Sequence, residues 1–105
     1  MAAKIKRNDT VQVMAGKDRG RRGDVRFVYP RDGRAVVTGV NLVKKHRRPR
    51  SPQAPGGIFE VEAPIQLANL RVVCSACDKA VRIGFRALED GRKVRYCKQC
   101  DETID

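Results

Sequence analysis

Apolar and polar side chains alternate along much of this chain with a period of two, which is typical of β-strands buried on one face. Residues 11–13 predict a first strand. Val25, Phe27 and Tyr29 recur at every second position and predict a second strand. Residues 35–40 predict a third, which continues into Leu42 and Val43 with the same character.

Turn signals and further alternating segments extend this pattern towards the C-terminus. The tetrapeptide at 30–33, Pro-Arg-Asp-Gly, predicts a turn, because proline presets φ and glycine accepts positive φ. Alternation resumes over 58–62, 70–74, 80–88 and 92–96. Short strands between turns predict an all-β fold, a small twisted barrel of about five strands whose closure protects its edges.

One long segment, residues 44–57, does not fit this strand pattern. It begins with the basic run Lys-Lys-His-Arg-Arg-Pro-Arg and continues with proline and glycine. A connection of this length in so small a protein is usually functional or disordered, and both interpretations remain open. As a loop that runs out and back, it would protrude roughly 20 Å from the barrel.

The positive charge of the chain is concentrated in its first half. The net charge is +11 over 105 residues. Residues 1–53 contribute 15 − 4 = +11, and residues 54–105 contribute 8 − 8 = 0. Solubility alone does not need such one-sided charge, so a polyanionic partner is favoured. Nucleic acid is favoured over membrane, because the chain has neither a spanning apolar run nor a basic amphipathic helix. We therefore expect a cytoplasmic protein.

A glycine-rich basic segment lies between the first two predicted strands. Residues 16–23 contain three glycines, which permit close approach of backbone N–H groups to phosphate. The segment lacks the Walker A pattern, so an ATPase is not predicted. With its flanking strands, residues 9–25 resemble the KOW motif of nucleic-acid-binding proteins.

Several further segments extend the resemblance over nearly the whole chain. They are Gly-Val-Asn-Leu-Val-Lys-Lys-His at 39–46, Gly-Gly-Ile-Phe-Glu-Val-Glu-Ala-Pro-Ile at 56–65, Val-Arg-Ile-Gly-Phe at 81–85 and Asp-Gly-Arg-Lys-Val-Arg at 90–95. In this order they resemble the family of bacterial large-subunit ribosomal protein twenty-four. The resemblance implies an SH3-like barrel over residues 1–72, including the 44–57 loop.

The resemblance also implies a function. It implies a non-enzymatic component of the large ribosomal subunit that binds the 5′ region of 23S rRNA and assists early assembly. The 44–57 loop would lie near the exit of the nascent-peptide tunnel. Implied partners are 23S rRNA and neighbouring large-subunit proteins, with no small-molecule substrate and no homo-oligomer.

The candidate RNA-binding residues lie in the basic segments. Those carried over from the family are Lys17, Arg19, Arg21, Arg22, Asn41, Lys44, Lys45 and His46; Lys6, Arg47, Arg48 and Arg50 are added because they belong to the same basic half. His46 is either an exposed loop residue or a side chain that stacks on or bonds to RNA. Within a basic run, an RNA contact is favoured over catalysis.

Four cysteines form two Cys-x-x-Cys pairs separated by 19 residues, Cys74/Cys77 and Cys97/Cys100. This spacing predicts a tetrahedral structural zinc site. The metal would hold residues 73–105 together as a C-terminal β-hairpin annex that is similar to a zinc ribbon. A hairpin turning near Asp90 would pair Cys97 with a residue close to position 83 rather than with Cys77. Residues 78–83 must then fold back, or the turn lies elsewhere.

Other states of the cysteines remain open. The thiols could be unmetallated or partly oxidised, or they could catalyse redox chemistry. The redox alternative is weak, because reactive Cys-x-x-Cys pairs begin a helix in a βαβ unit and none is predicted. Asp78 and Asp101 stand where zinc knuckles commonly have glycine. Many members of the resembled family lack these cysteines, and this chain resembles the subset that has them.

Two other functions were weighed against a ribosomal protein. A free KOW-type regulator of transcription or translation, such as an elongation-type factor, would need a second domain for which the chain has no room. A zinc or thiol enzyme would need catalytic partners, yet the chain has one histidine and no paired carboxylates beside a plausible cleft.

Overall fold

The computed structural model describes residues 4–47 and 56–104, which form ten β-strands and one 3-10 turn. The strands are β1 Thr10–Val13, β2 Arg22–Tyr29, β3 Arg34–Val37, β4 Leu42–Arg47, β5 Gly57–Glu62, β6 Ile65–Gln66, β7 Leu70–Cys74, β8 Lys79–Val81, β9 Ile83–Ala87 and β10 Lys93–Cys97. The 3-10 turn covers Leu67–Asn69. The predicted all-β fold is therefore confirmed. In the described ranges, no helix has the length and apolar character needed to cross a membrane.

The main sheet has the strand order β6-β3-β2-β1-β7-β8, with antiparallel pairing throughout. Alternate side chains on its inner face form the core, which explains the period of two in the sequence. Fully enclosed core side chains include Val11, Val13, Val25, Val37 and Val40. The architecture is that of a small SH3-like barrel with a C-terminal cysteine cluster.

Strand β2 contains a bulge at Arg26 that reverses which face its later side chains occupy. Val25 pairs with Val37, but Phe27 pairs with the adjacent Val36, so one residue of β2 is extra. Unbroken alternation would place Phe27 and Tyr29 on the buried face of Val25. The bulge instead turns both rings outward, where they are 45% and 44% exposed. Val28 takes the inward position and packs against the core.

The predicted third strand is divided in two. Strand β3 ends at Val37, a turn follows, and β4 starts at Leu42. The backbone reverses because Gly39 and Asn41 adopt positive φ values of 72° and 55°. The predicted strand over 80–88 is likewise divided, into β8 and β9. Both predictions missed the break because the apolar pattern runs through it.

The sequence predicts a loop over residues 44–57, but both ends of this segment belong to a β-hairpin. Strands β4 and β5 pair from Leu42–Glu62 to Arg47–Gly57. Their six residues each extend about 20 Å, and we call this hairpin the arm. Residues 48–55 lie outside the described part. The sequence predicts a loop here because the Lys and Arg side chains of the basic run hide the two-residue period of β4.

The C-terminal segment folds back as the cysteine spacing requires. Strands β9 and β10 form a hairpin in which Cys97 pairs with Ile83. Residues 79–81 return along β7 as β8, which places Cys77 in the β7–β8 turn. The boundary predicted at 72/73 falls within β7. The division into a barrel over residues 1–72 and an annex over residues 73–105 stays a proposal.

A buried ion pair ties this hairpin to the N-terminal segment. The Arg95 guanidinium donates to both carboxylate oxygens of Asp9 and, at 2.9 Å, to the carbonyl oxygen of Lys4. The Arg95 and Asp9 side chains are only 5% and 11% exposed. Asp9 also accepts the Lys6 backbone N–H at 2.7 Å. The pair therefore joins residues that are 86 positions apart.

Candidate nucleic-acid interface and metal centre

The glycine-rich segment between β1 and β2 folds as a compact loop over residues 14–21, which we call the KOW loop. Its backbone closes on itself, since the Gly20 N–H donates to the carbonyl of Val13 and the Val13 N–H to that of Arg21, both at 2.8 Å. Gly20 has φ +91°, which other residues rarely adopt. At Gly23, a Cβ would lie 2.4 Å from the Thr38 carbonyl oxygen. Gly20 therefore permits the turn of the KOW loop, and Gly23 permits close packing of β2 against the backbone at Thr38.

The KOW loop is docked on the base of the arm. The Asp18 carboxylate accepts the backbone N–H of Asn41 at 2.8 Å, and Lys17 Nζ donates to the Leu42 carbonyl oxygen at 3.4 Å. The Asn41 side-chain amide donates to the carbonyl oxygens of Ala63 and Pro64. Asn41 thus holds the arm against the barrel, in addition to its predicted RNA contact, which stays a prediction.

The basic residues of the two segments face solvent where their side chains are described. Lys17, Arg19 and Arg21 are exposed on the KOW loop, and Arg21 lies 3.7 Å from Asp18. On β4 the exposed residues are Lys44, Lys45 and His46. Lys6 is exposed before β1. The predicted residues Arg48 and Arg50 lie outside the described part, and Arg47 is described only by its backbone pairing with Gly57.

Arg22 differs from its neighbours, because its guanidinium contacts Asp78, the residue that follows Cys77. Nε donates to Gln12 Oε1, Nη1 to Asp78 Oδ1 at 2.9 Å, and Nη2 to the Asp78 carbonyl oxygen at 3.1 Å. Its side chain is still 39% exposed. Arg22 therefore joins the start of β2 to the first Cys-x-x-Cys turn. Its predicted RNA contact stays a prediction.

The four cysteine sulfurs converge at one point between β7 and β10. All four Sγ atoms lie within 4.8 Å of one another. Cys74 Sγ is 3.5 Å from Cys100 Sγ, and Cys77 Sγ is 3.9 Å from Cys97 Sγ. Tetrahedral zinc with Zn–S bonds of about 2.3 Å requires sulfurs about 3.8 Å apart. The geometry and the all-thiolate donor set therefore fit a metal ion of the zinc type.

Each Cys-x-x-Cys turn is closed in the same way. The Asp78 N–H donates to the Cys74 carbonyl at 2.7 Å, and the Asp101 N–H donates to the Cys97 carbonyl at 2.8 Å. Both aspartates have positive φ, 52° and 68°, at the positions where the sequence led us to expect glycine. Arg86 bonds the carbonyl and carboxylate oxygens of Asp101 just as Arg22 bonds those of Asp78. Two arginines thus stabilise the two strained turns.

Burial and hydrogen bonds shift the pKa values of Cys77, Cys97 and Cys100 in different directions. Burial raises the pKa of Cys97, but hydrogen bonds from the Cys100 backbone N–H, the Cys100 thiol, the Gln99 backbone and the Cys74 thiol together outweigh it and lower that pKa to about 7. A backbone hydrogen bond at Glu102 lowers the pKa of Cys100, yet burial and the neighbouring thiols raise it overall to about 12. Burial and neighbouring thiols also raise the pKa of Cys77. A thiolate is the form that ligates metal, so binding a cation would release protons from this cluster.

Comparison with known proteins decides the family. Residues 40–104 match the family described as large ribosomal subunit protein uL24, C-terminal domain. The uL24 of Fervidobacterium nodosum is 56% identical over the whole chain and 98% of its own length. Those of Thermosipho melanesiensis and Thermosipho africanus are 54% and 53% identical over the whole chain and 99% of their own lengths. The chain belongs to the uL24 family.

Membership confirms two of the sequence predictions. The uL24 family is a family of structural proteins of the large ribosomal subunit, and it is not enzymatic. The resemblance drawn from the KOW loop and the segments at 39–46 and 56–65 is therefore correct.

Two of the contacts that sequence reasoning missed in this uL24-family structure are ion pairs between distant residues. The Arg95–Asp9 pair has no local signal, because its members are distant in the chain. The Arg26–Glu62 ion pair at the base of the arm was also missed. There the backbone N–H of Gly39 and the guanidinium of Arg26 lower the pKa of Glu62. The alternation of Glu60 and Glu62 with Phe59 and Val61 was the available signal that this segment pairs with a basic strand.

Proposed function

We propose that this chain binds 23S rRNA, in its 5′ region, through the KOW loop and strand β4. The observation that carries the proposal is the docking of the KOW loop on the arm. Because Asp18 and Lys17 bond the backbone at Asn41 and Leu42, the two basic segments form one continuous surface. The proposed contacts are the twelve candidate residues named from the sequence, with phosphate oxygens as their main acceptors.

The proposal extends to the place of the protein in the cell. As part of the large subunit, it would act in the cytoplasm, bound to the ribosome, with 23S rRNA and neighbouring large-subunit proteins as partners and without forming a homo-oligomer. Assistance in early assembly and a position of the arm near the nascent-peptide exit are proposed on the family resemblance.

We also propose that Cys74, Cys77, Cys97 and Cys100 hold a structural zinc ion. The close approach of the four Sγ atoms supports this. Four protein ligands would fill a tetrahedral shell and leave no open position for a substrate, so the ion would stabilise the fold. Zinc would fix the turn at Asp78, and Asp78 would thereby hold the Arg22 guanidinium at the start of β2, next to the KOW loop.

Binding to rRNA is expected to depend steeply on salt. If six to ten phosphates are contacted, the affinity for a 5′-region 23S rRNA fragment should fall by about 10³- to 10⁵-fold between 50 and 200 mM salt, taking the duplex-DNA slope as a guide. The triple variant Lys17→Ala/Arg19→Ala/Arg21→Ala should lose affinity and should lower the log–log salt slope by about 2 to 3. Filter binding or fluorescence anisotropy over a salt series measures both.

A matched control removes the same charge elsewhere. Arg82→Ala/Arg92→Ala/Lys98→Ala takes three exposed cations from the balanced half of the chain. The slope of this variant should stay close to that of the unmodified protein. Equal slopes for both triple variants, or an affinity insensitive to salt, would contradict the proposed interface.

A further inference from the structure

Strand β2 presents two aromatic rings on the outer face of the sheet. Phe27 and Tyr29 occupy alternate positions, about 6.8 Å apart along the strand, and each is nearly half exposed. Their exposure follows from the bulge at Arg26, which gives the inward position to the smaller Val28. Bulges often re-aim side chains at functional sites. Two rings turned away from the core by one bulge form an exposed apolar patch that suits a binding partner.

These rings line an open groove of about 540 Å³ between the sheet and the base of the arm. Val36, Leu42 and Val61 complete its apolar lining, and Arg26, Glu60 and Glu62 are its charged lining. The groove therefore offers two ring faces and apolar walls, open to solvent along one side.

Cations surround the first ring. The Arg7 and Arg26 guanidinium carbons lie 5.5 and 5.9 Å from the centre of the Phe27 ring. Arg34 stands opposite Tyr29 on β3. Of the two carboxylates that line the groove, Glu62 is neutralised by its ion pair with Arg26, and it also accepts the backbone N–H of Gly39. Glu60 remains as an acceptor that can bond an exocyclic amino group of a base.

The groove is continuous with the proposed phosphate-binding surface. Leu42, which lines the groove, accepts a hydrogen bond from Lys17 of the KOW loop. A strand of nucleic acid whose phosphates follow the KOW loop could therefore direct its bases into the groove. Aromatic rings flanked by arginines are the arrangement on which unpaired bases stack.

We propose that Phe27 and Tyr29 form a stacking platform for unpaired RNA bases. The inference rests on the proposal that this chain binds RNA, and it adds base recognition to the phosphate contacts of the KOW loop. A protein segment is the less favoured occupant, because Arg7 beside Phe27 and Arg34 opposite Tyr29 suit a polyanion better than a neutral surface. Stacking tolerates any base, so the platform should select unpaired strands and not a particular sequence.

The test compares three RNA probes of equal length: a single strand of mixed adenine and uracil, the same backbone without bases, and a duplex. The full chain is used as purified, and dissociation constants are measured by anisotropy. Phe27→Ala and Tyr29→Ala should each weaken single-strand binding about tenfold. The abasic and duplex affinities should change less than about twofold. Phe27→Tyr and Tyr29→Phe keep the rings and should retain binding.

The outcomes separate this inference from the proposed function. Unchanged single-strand affinity in Phe27→Ala/Tyr29→Ala, with an unaltered melting temperature, would overturn the platform. An equal loss on the abasic strand would also overturn it. If the unmodified protein binds the duplex in a salt-dependent way but binds the single strand no better than the abasic strand, only the platform fails. If it binds none of the probes and also fails to bind the 5′-region 23S rRNA fragment, the proposed function fails as well.

Discussion

Replacing Cys74 with serine is expected to abolish metal binding and to lower the melting temperature by more than about 15 °C. Cys74 is 2% exposed, ends strand β7, and places its Sγ 3.5 Å from that of Cys100. A serine oxygen is a far poorer zinc ligand than a thiolate, and the C-terminal hairpin has little apolar core of its own. Metal analysis of the reduced, purified protein and a thermal melt measure the two effects.

Ser75→Ala provides the matched control for this variant. Ser75 is exposed within the same Cys-x-x-Cys turn, and its side chain offers no ligand to the cluster. The Ser75→Ala variant should bind one zinc per chain, and its melting temperature should be close to that of the unmodified protein. A zinc-to-protein ratio near zero in the unmodified protein, with its thiols kept reduced, would contradict the proposed site. A chelator should destabilise the unmodified protein and leave Cys74→Ser unaffected.

Replacing Arg95 with alanine is expected to reduce the free energy of unfolding by about 3–5 kcal/mol. The substitution would leave the Asp9 carboxylate charged and almost completely enclosed, and would leave the Lys4 carbonyl without this donor. Burying an uncompensated charge is costly, since removing one partner keeps the desolvation penalty but loses the attraction. Chemical denaturation, analysed for the midpoint and the slope, measures the change.

Arg92→Ala provides the comparison on the same hairpin. Arg92 pairs with Asp90, but these side chains are 73% and 54% exposed. Exposed pairs contribute little, so this variant should lose less than about 1 kcal/mol. The double variant Arg95→Met/Asp9→Leu should recover much of the stability lost in Arg95→Ala, because it removes both charges. Similar losses in Arg95→Ala and Arg92→Ala would mean that burial of the Arg95 pair is unimportant.

The features that the sequence predicted well are local. The KOW loop is specified by glycines at fixed positions, and the two cysteine turns by a spacing of two residues. A fold-back of residues 78–83 was one of two alternatives that the hairpin register left open, and the pairing of Cys97 with Ile83 and of β8 with β7 shows that it occurs. These features depend on few neighbours, so composition and spacing suffice to predict them.

The features that the sequence did not reveal depend on distant contacts. The bulge at Arg26 depends on how β2 meets β3, and it decides whether Phe27 and Tyr29 face the core or solvent. The sequence predicts a strand at 58–62 but a loop at 44–57, because the pairing that joins Lys44 to Glu60 spans a long connection. Arg22 looked like one more loop cation until its contact with Asp78, 56 residues away, gave it a structural role.

The most direct test of the central claim is cosedimentation of the tagged chain with large ribosomal subunits from the source cells. We expect the protein to be found in the large-subunit fraction at about one copy per subunit and to remain there after a moderate-salt wash. Lys17→Ala/Arg19→Ala/Arg21→Ala should be depleted from that fraction when it competes with the unmodified protein during assembly. Recovery of the unmodified chain only in the free-protein fraction would contradict the claim that it is a structural, rRNA-bound component of the large subunit.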